Sequence, residues 1–212
     1  MRRDVFIEIC SRQIHGGFYS DDTTITNNLI NALIEEAIGI AAQKCYGDNL
    51  AMEGVGFVNN SFYITFKGLS ISSDGNFLWK MSLPTIPIGL GAVDGISRCV
   101  IKDDSSQQTS YPVLLLSENQ VSIAKGMRPI PNKVIGYPES GFLYVISTLL
   151  LNQYTAQVTM ISGGDPTDLD SELNVPANYL PIMQDWIFQQ LMKEKSQPVD
   201  VVNDGSDATV FK

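Results

Sequence analysis

The hydrophobic period of this chain changes twice, and those two changes constrain its fold more than any single motif. Residues 24–46 carry apolar side chains at helical spacing: Ile25, Leu29, Leu33, Ala37, Ile40 and Ala41, widened by Ile30, Ile34 and Ile38. From Phe62 the period drops to two. Phe62, Ile64 and Phe66 alternate with Tyr63, Thr65 and Lys67, and Phe77, Trp79, Met81 and Leu83 alternate with Leu78, Lys80 and Ser82. Helical spacing returns in Tyr179, Ile182, Met183, Trp186, Ile187 and Leu191. A helix–sheet–helix order in segregated blocks predicts an α+β chain: an N-terminal helical pair, an antiparallel β-sheet or sandwich with long loops, and a C-terminal amphipathic helix.

The element boundaries follow from local chemistry. Residues 5–14 predict a short helix, with Val5, Ile9 and Cys10 sharing a face with Gln13 and Ile14. The Phe6–Ile7 pair leaves a strand open, and Gly16 is a natural stop. Asp21, Asp22 and Thr23 supply N-cap candidates for the second helix, and Gly47 ends its pattern. The Asp74-Gly75 pair between alternating runs predicts a hairpin turn. A second hairpin joins residues 134–137 to 142–146 through Pro138-Glu139-Ser140-Gly141. Residues 155–161 and 113–116 read as further strands. Pro176 and Pro181 are tolerable only at the start of a final helix over 176–195, where backbone N–H groups lack intrahelical partners. The resulting division is a helical part over 1–50, a β-rich part over 51–165, a C-terminal helix over 166–196 that packs with the N-terminal helices, and a polar tail over 197–212.

Charge narrows the function. With 14 basic against 23 acidic residues the net charge is −9, which opposes duplex binding through phosphate neutralisation. Acidity does not prevent DNA from passing nearby, because a like-charged wall repels it. Charged residues make up 17% of the chain, below the ~25% usual for soluble domains. A surface covered by neighbours and a neutral Ser/Thr/Asn-rich surface both account for this. Cys10, Cys45 and Cys99 are odd in number and widely spaced, so they read as buried apolar residues of a chain folded in a reducing compartment. Glu8 and Arg12 interrupt any apolar leader, and no window reaches the ~18 apolar residues of a membrane span.

No motif commits the chain to chemistry, and the expectation is a non-enzyme with no catalytic, cofactor-binding or metal-binding residues. His15, the sole histidine, sits before Gly16-Gly17 and reads as a helix-end cap. Gly89, Gly91 and Gly95 miss dinucleotide-loop spacing by one residue, and no helix pattern follows them. Asp165, Asp168, Asp170 and Glu172 form an acidic loop that could offer oxygens to calcium. The spacing departs from the calcium-loop pattern, and negative charge before the final helix explains it without metal. Phe62, Tyr63, Phe66 and Trp79 read as core aromatics more readily than as a stacking platform.

The order of parts carries a resemblance. Residues 5–14, the Gly16-Gly17 break, Ser20-Asp21-Asp22-Thr23-Thr24 and the 25–45 helix resemble the N-terminal half of head–tail connector and tail ring proteins of short-tailed bacteriophages, the crAss-like phages among them. So do Leu83-Pro84-Thr85-Ile86-Pro87-Ile88-Gly89, the hairpin around Ile135-Gly136-Tyr137, and the acidic loop leading to Val175-Pro176-Ala177-Asn178-Tyr179. The resemblance implies a structural subunit of a virion ring, dodecameric in this family, at the neck or tail and assembled in the host bacterial cytoplasm. Its partners would be copies of itself and neighbouring portal or tail ring proteins, with DNA passing through the channel unread. In that setting the loops after Pro84 and Lys125 would reach adjacent rings, a deletion of 85–94 would spare the fold, and the tail over 197–212 would order only against a neighbour. The alternatives are another virion component, such as a tail terminator or minor capsid protein, or a glycan-binding or hydrolytic tail module.

Overall fold

The computed structural model describes residues 1–14, 16, 26–90, 95–103, 110–117, 120–126 and 128–196. It is an α+β fold with helices α1 (Arg3–Ile14) and α2 (Asn27–Glu53) at the start and α4 (Leu180–Ser196) at the end. Between them run strands β1 (Tyr63–Ser70), β2 (Ser72–Gly75), β3 (Leu78–Ser82), β4 (Ile96–Asp103), β5 (Ser110–Leu115), β6 (Val134–Glu139), β7 (Phe142–Ile146) and β8 (Tyr154–Ile161). A short helix α3 (Val121–Gly126) lies between β5 and β6. His15, Ile25, the cap candidates Asp21, Asp22 and Thr23, and the tail over 197–212 lie outside the described residues.

The N-terminal helices form where the sequence predicts, but their faces and ends differ. In α1 the buried side is Phe6, Ile7 and Cys10, while Val5 and Ile9 face outward. Helical geometry places the Phe6–Ile7 pair and Cys10 on one stripe, so the pair belongs to a helix rather than a strand. Gly16 at φ 65° donates its N–H to the Gln13 carbonyl, ending the turn. Thr26 caps α2, its side chain accepting from the Leu29 N–H. The helix runs through Gly47 to Glu53, because one glycine costs a helix only about 1 kcal/mol. Gly54, at φ 72°, provides the left-handed stop, its N–H bonded to the Leu50 carbonyl. The buried ridge of α2 is Ile30, Ile34, Ala37, Ile38, Ala41, Ala42 and Cys45; Leu29 and Leu33 sit at its margin and Ile40 outside it.

The eight strands form one sheet in the order β1-β8-β4-β5-β6-β7-β3-β2. All neighbours are antiparallel except β5 and β6, whose parallel pairing requires the crossover that contains α3. Strand β5 changes partners midway. Ser110, Tyr111 and Pro112 pair with β4, and Val113, Leu114 and Leu115 pair with β6. Pro112, which has no N–H to give a ladder, sits at the change. The sheet curls around this corner until β1 approaches β3. Ile101, Val158 and Met160 of one half therefore share a core with Trp79, Met81, Leu143 and Val145 of the other.

The hairpin turns show one success and one shift. Ser140 (φ 52°) and Gly141 (φ 80°) form the two-residue turn between β6 and β7. At the other hairpin, Asp74 and Gly75 belong to β2, and the turn is Asn76-Phe77, with Phe77 at φ 61°. Phe62 belongs to a 3-10 turn (Asn60–Phe62) ahead of β1. Lys125 and Gly126, expected in a loop, end α3.

Helix α4 is entered through a 3-10 turn, Ala177–Tyr179, which fits Pro176 and Pro181 near the start. It lays Met183, Ile187 and Leu191 against Phe6, Ile34 and their neighbours, so α1, α2 and α4 form one layer. Phe62 and Ile161 join that cluster from the edge of the sheet.

Candidate interaction surfaces

The most exposed apolar feature is built by the end of α2. Past the Gly54 cap the chain folds back, and the Asn49 side-chain amide donates to the Phe57 carbonyl at 2.8 Å. Gly56 lies on the Tyr46 ring, where a Cβ would come within 2.1 Å of a ring carbon, so any side chain there would have to push the ring aside. This pinned knuckle presents Leu50, Met52, Val55 and Phe57, with Met52 83% exposed. Large apolar groups held this rigidly toward solvent are typical of contact surfaces.

A second feature lies farther back along α2. Ile40, Ile88, Leu90 and Trp186 line a groove of about 440 Å³, with Glu36 and Gln43 at its rim. Its wall is the segment expected to be a free arm. The Ile88 N–H bonds the Ile161 carbonyl, Thr85 Oγ1 lies 2.6 Å from Ser162 Oγ, and Leu90 is buried in the helical core. Gly39 admits Ile88, whose Cγ2 would stand 3.1 Å from an added Cβ. Residues 85–90 therefore dock on their own chain, and Ile86 projects from them. Removing residues 85–94 would open the core rather than spare the fold. Residues 91–94 lie outside the described part.

The outer face of β1, β8 and β4 is polar and basic. Thr65, Thr159 and Arg98 stand in one row across the three strands, and Lys102 lies opposite Thr155 in another. The Thr65 and Thr159 hydroxyls are 3.0 Å apart. Arg98, Lys102, Gln157 and these threonines line a shallow site of about 210 Å³. Lys67 projects from β1 beside a bulge at Gly68 (φ 71°). Arg2, Arg12, Lys44, Lys80 and Lys125 take part in the six ion pairs among the described residues; Lys67, Arg98 and Lys102 take part in none.

The acidic loop wraps the start of α1, not of α4. The first N–H groups of α1 have no intrahelical acceptors. Arg3 N–H donates to the Ser171 carbonyl and Asp4 N–H to the Leu169 carbonyl. Asp170 pairs with Arg2, and Asp168 accepts the Asp170 N–H. Asp165 accepts both the hydroxyl and the N–H of Thr167, which hold its carboxyl below the usual range. The negative charge thus complements the α1 dipole and the two arginines. Among the described residues no group of three or more His, Cys, Asp or Glu side chains is arranged to hold a metal.

Beneath this loop, Arg3 is fully buried. Its Nε donates to Asn31 Oδ1 at 2.6 Å and its Nη1 to the Gly163 carbonyl at 2.7 Å, while Nη2 lacks a protein partner. At the far end of the sheet, Phe77 is over half exposed beside a cleft of about 200 Å³ lined by Asn76, Leu78, Lys125, Tyr137 and Ile146. The Tyr137 and Tyr144 rings stack next to it at 5.4 Å.

The residues weighed from sequence fall in separate places. Gly95 leads straight into strand β4, so no helix N-terminus follows the glycine-rich run. Phe62 and Trp79 are buried and Tyr63 and Phe66 half-buried, which places these rings in or beside the core. All three cysteines are free and buried. The basic face went unread because β4 was not anticipated. Its signal was the alternation Arg98, Val100, Lys102 inside a β-branched run. No protein-family model matches the chain, and no curated protein matches it significantly.

Proposed function

We propose that this chain is a structural subunit of a virion ring, of the head–tail connector or tail ring kind. It would join portal or capsid to the tail of a short-tailed phage and bound part of the DNA channel. The observation that carries the reading is the pinned apolar knuckle at Leu50, Met52, Val55 and Phe57. A rigid projection offers a neighbour a ready contact with little ordering to be done on binding. The groove at Ile40 and Trp186 lies elsewhere on the same helical layer. A subunit with two different contact surfaces assembles head to tail, and such contacts close into rings when the rotation permits. The net charge of −9 suits a wall past which DNA slides.

Electron microscopy of the purified protein, alone and mixed with the products of neighbouring genes, tests the reading. Closed rings with a hole wide enough for a DNA duplex are the expected result. Monomers persisting in every mixture would overturn the ring and leave a peripheral virion component.

A further inference from the structure

Lys67, Arg98 and Lys102 form a patch of one sign on an otherwise neutral sheet face, and no described carboxylate pairs with any of them. Among the described residues Arg2, Arg12, Lys44, Lys80 and Lys125 are each paired with a carboxylate, whereas these three stand on one sheet face without one. The opposite excess lies on the loop across α1. Asp4, Asp165, Asp168, Asp170 and Glu172 gather there against Arg2 and the buried Arg3, and Asp168 and Glu172 are exposed and in no ion pair. Among the described residues no ion pair joins the loop to the sheet face within one chain.

We propose that the basic face of β1, β8 and β4 receives the acidic loop of a second copy of this chain, making a charge-complementary, head-to-tail contact. The inference rests on the ring reading and deepens it by naming the two surfaces that meet. A duplex is the poorer occupant: three cations release few counterions, and the rest of the chain repels phosphate. A copy of the chain brings the matching charge in equal number. Complementary potentials of this kind fix register and speed encounter more than they add raw affinity.

A charge swap decides the matter. The face variant carries Lys67→Glu, Arg98→Glu and Lys102→Glu; the loop variant carries Asp168→Lys and Glu172→Lys; a combined variant carries all five. The mass of each full-length protein is measured by analytical ultracentrifugation over a range of concentration at low salt. Melting curves establish that each variant is folded. Each single-surface variant should self-associate about tenfold or more weakly than the unaltered chain. An equimolar mixture of the two should assemble, because each supplies the surface the other lacks, and the combined variant should assemble alone. Association of the unaltered chain should weaken as salt shortens the Debye length from about 10 Å at 0.1 M to about 3 Å at 1 M. If both single-surface variants assemble like the unaltered chain, the contact is wrong and the ring stands. The same holds if they fail and neither mixing nor combination restores assembly, or if the face variant loses only duplex binding. If the unaltered chain stays monomeric throughout, with and without neighbouring virion proteins, ring and contact fall together.

Discussion

Arg3, Cys10 and Cys99 show what this interior does to ionisable groups. Desolvation lowers the Arg3 pKa, opposed by Glu35, Asp165 and Asp168, and a guanidinium starts high enough for the charge to persist. A buried charge without partners is penalised by several kcal/mol, so the bonds to Asn31 and Gly163 and the surrounding carboxylates are conditions for Arg3 to sit where it does. In return it fastens α1 to α2 and to the turn after β8. Burial pushes the Cys10 and Cys99 thiols from 9.0 up to about 12. Their folded pKa lies above the unfolded one, so their contribution to stability is complete below pH 9 and is lost as pH rises toward 12. Urea denaturation between pH 8 and 11 should show a falling midpoint. A Cys10→Ala/Cys99→Ala variant should have a lower midpoint at pH 8 and a flatter slope above pH 9; an equal slope in both proteins would refute the assignment.

Among the elements, the segment over 85–90 departs furthest from what its composition suggests. Pro87, with Pro84 just before it and glycines after it, reads as a loop that reaches outward, yet Ile88 and Leu90 bind it to α2 and α4. Leu90→Ala should therefore destabilise the isolated protein by about 2–4 kcal/mol, and Ile86→Ala by less than 0.5, in equilibrium unfolding. Equal, small effects would restore the free arm. The helices, the 140–141 turn and most strands were legible because period and turn chemistry are local properties. The Ile30–Ile34–Ile38 ridge lost to Leu29–Leu33 in the reading because both rows are apolar, and only the position of α4 decides which is inside. Strand β4 escaped because one face is apolar and the other mixes Arg98, Val100 and Lys102, and a bulge at Ile96–Arg98 breaks its alternation. The exposed knuckle was least legible of all, since the reading ended α2 at Gly47 and left Leu50 and Met52 outside any helix.

For the whole molecule, surface and stability separate cleanly. Met52→Ser with Phe57→Ser should leave the unfolding free energy of the monomer within about 0.5 kcal/mol per site, because neither residue is buried. The same change should weaken ring formation, read by sedimentation and by particle counts in micrographs; unimpaired rings would remove the knuckle from the assembly. The helical layer has a further consequence, one of timing. Phe6 and Ile34 are synthesised well before their partners Met183, Ile187 and Leu191, with the whole sheet between them. At about 5–20 residues per second, α1 waits on the order of 10 s or more for α4. Through that interval the half-finished layer exposes its apolar ridge. A nascent chain must therefore be shielded, by chaperones or by the sheet folding beneath it, until its own C-terminal helix arrives to close it.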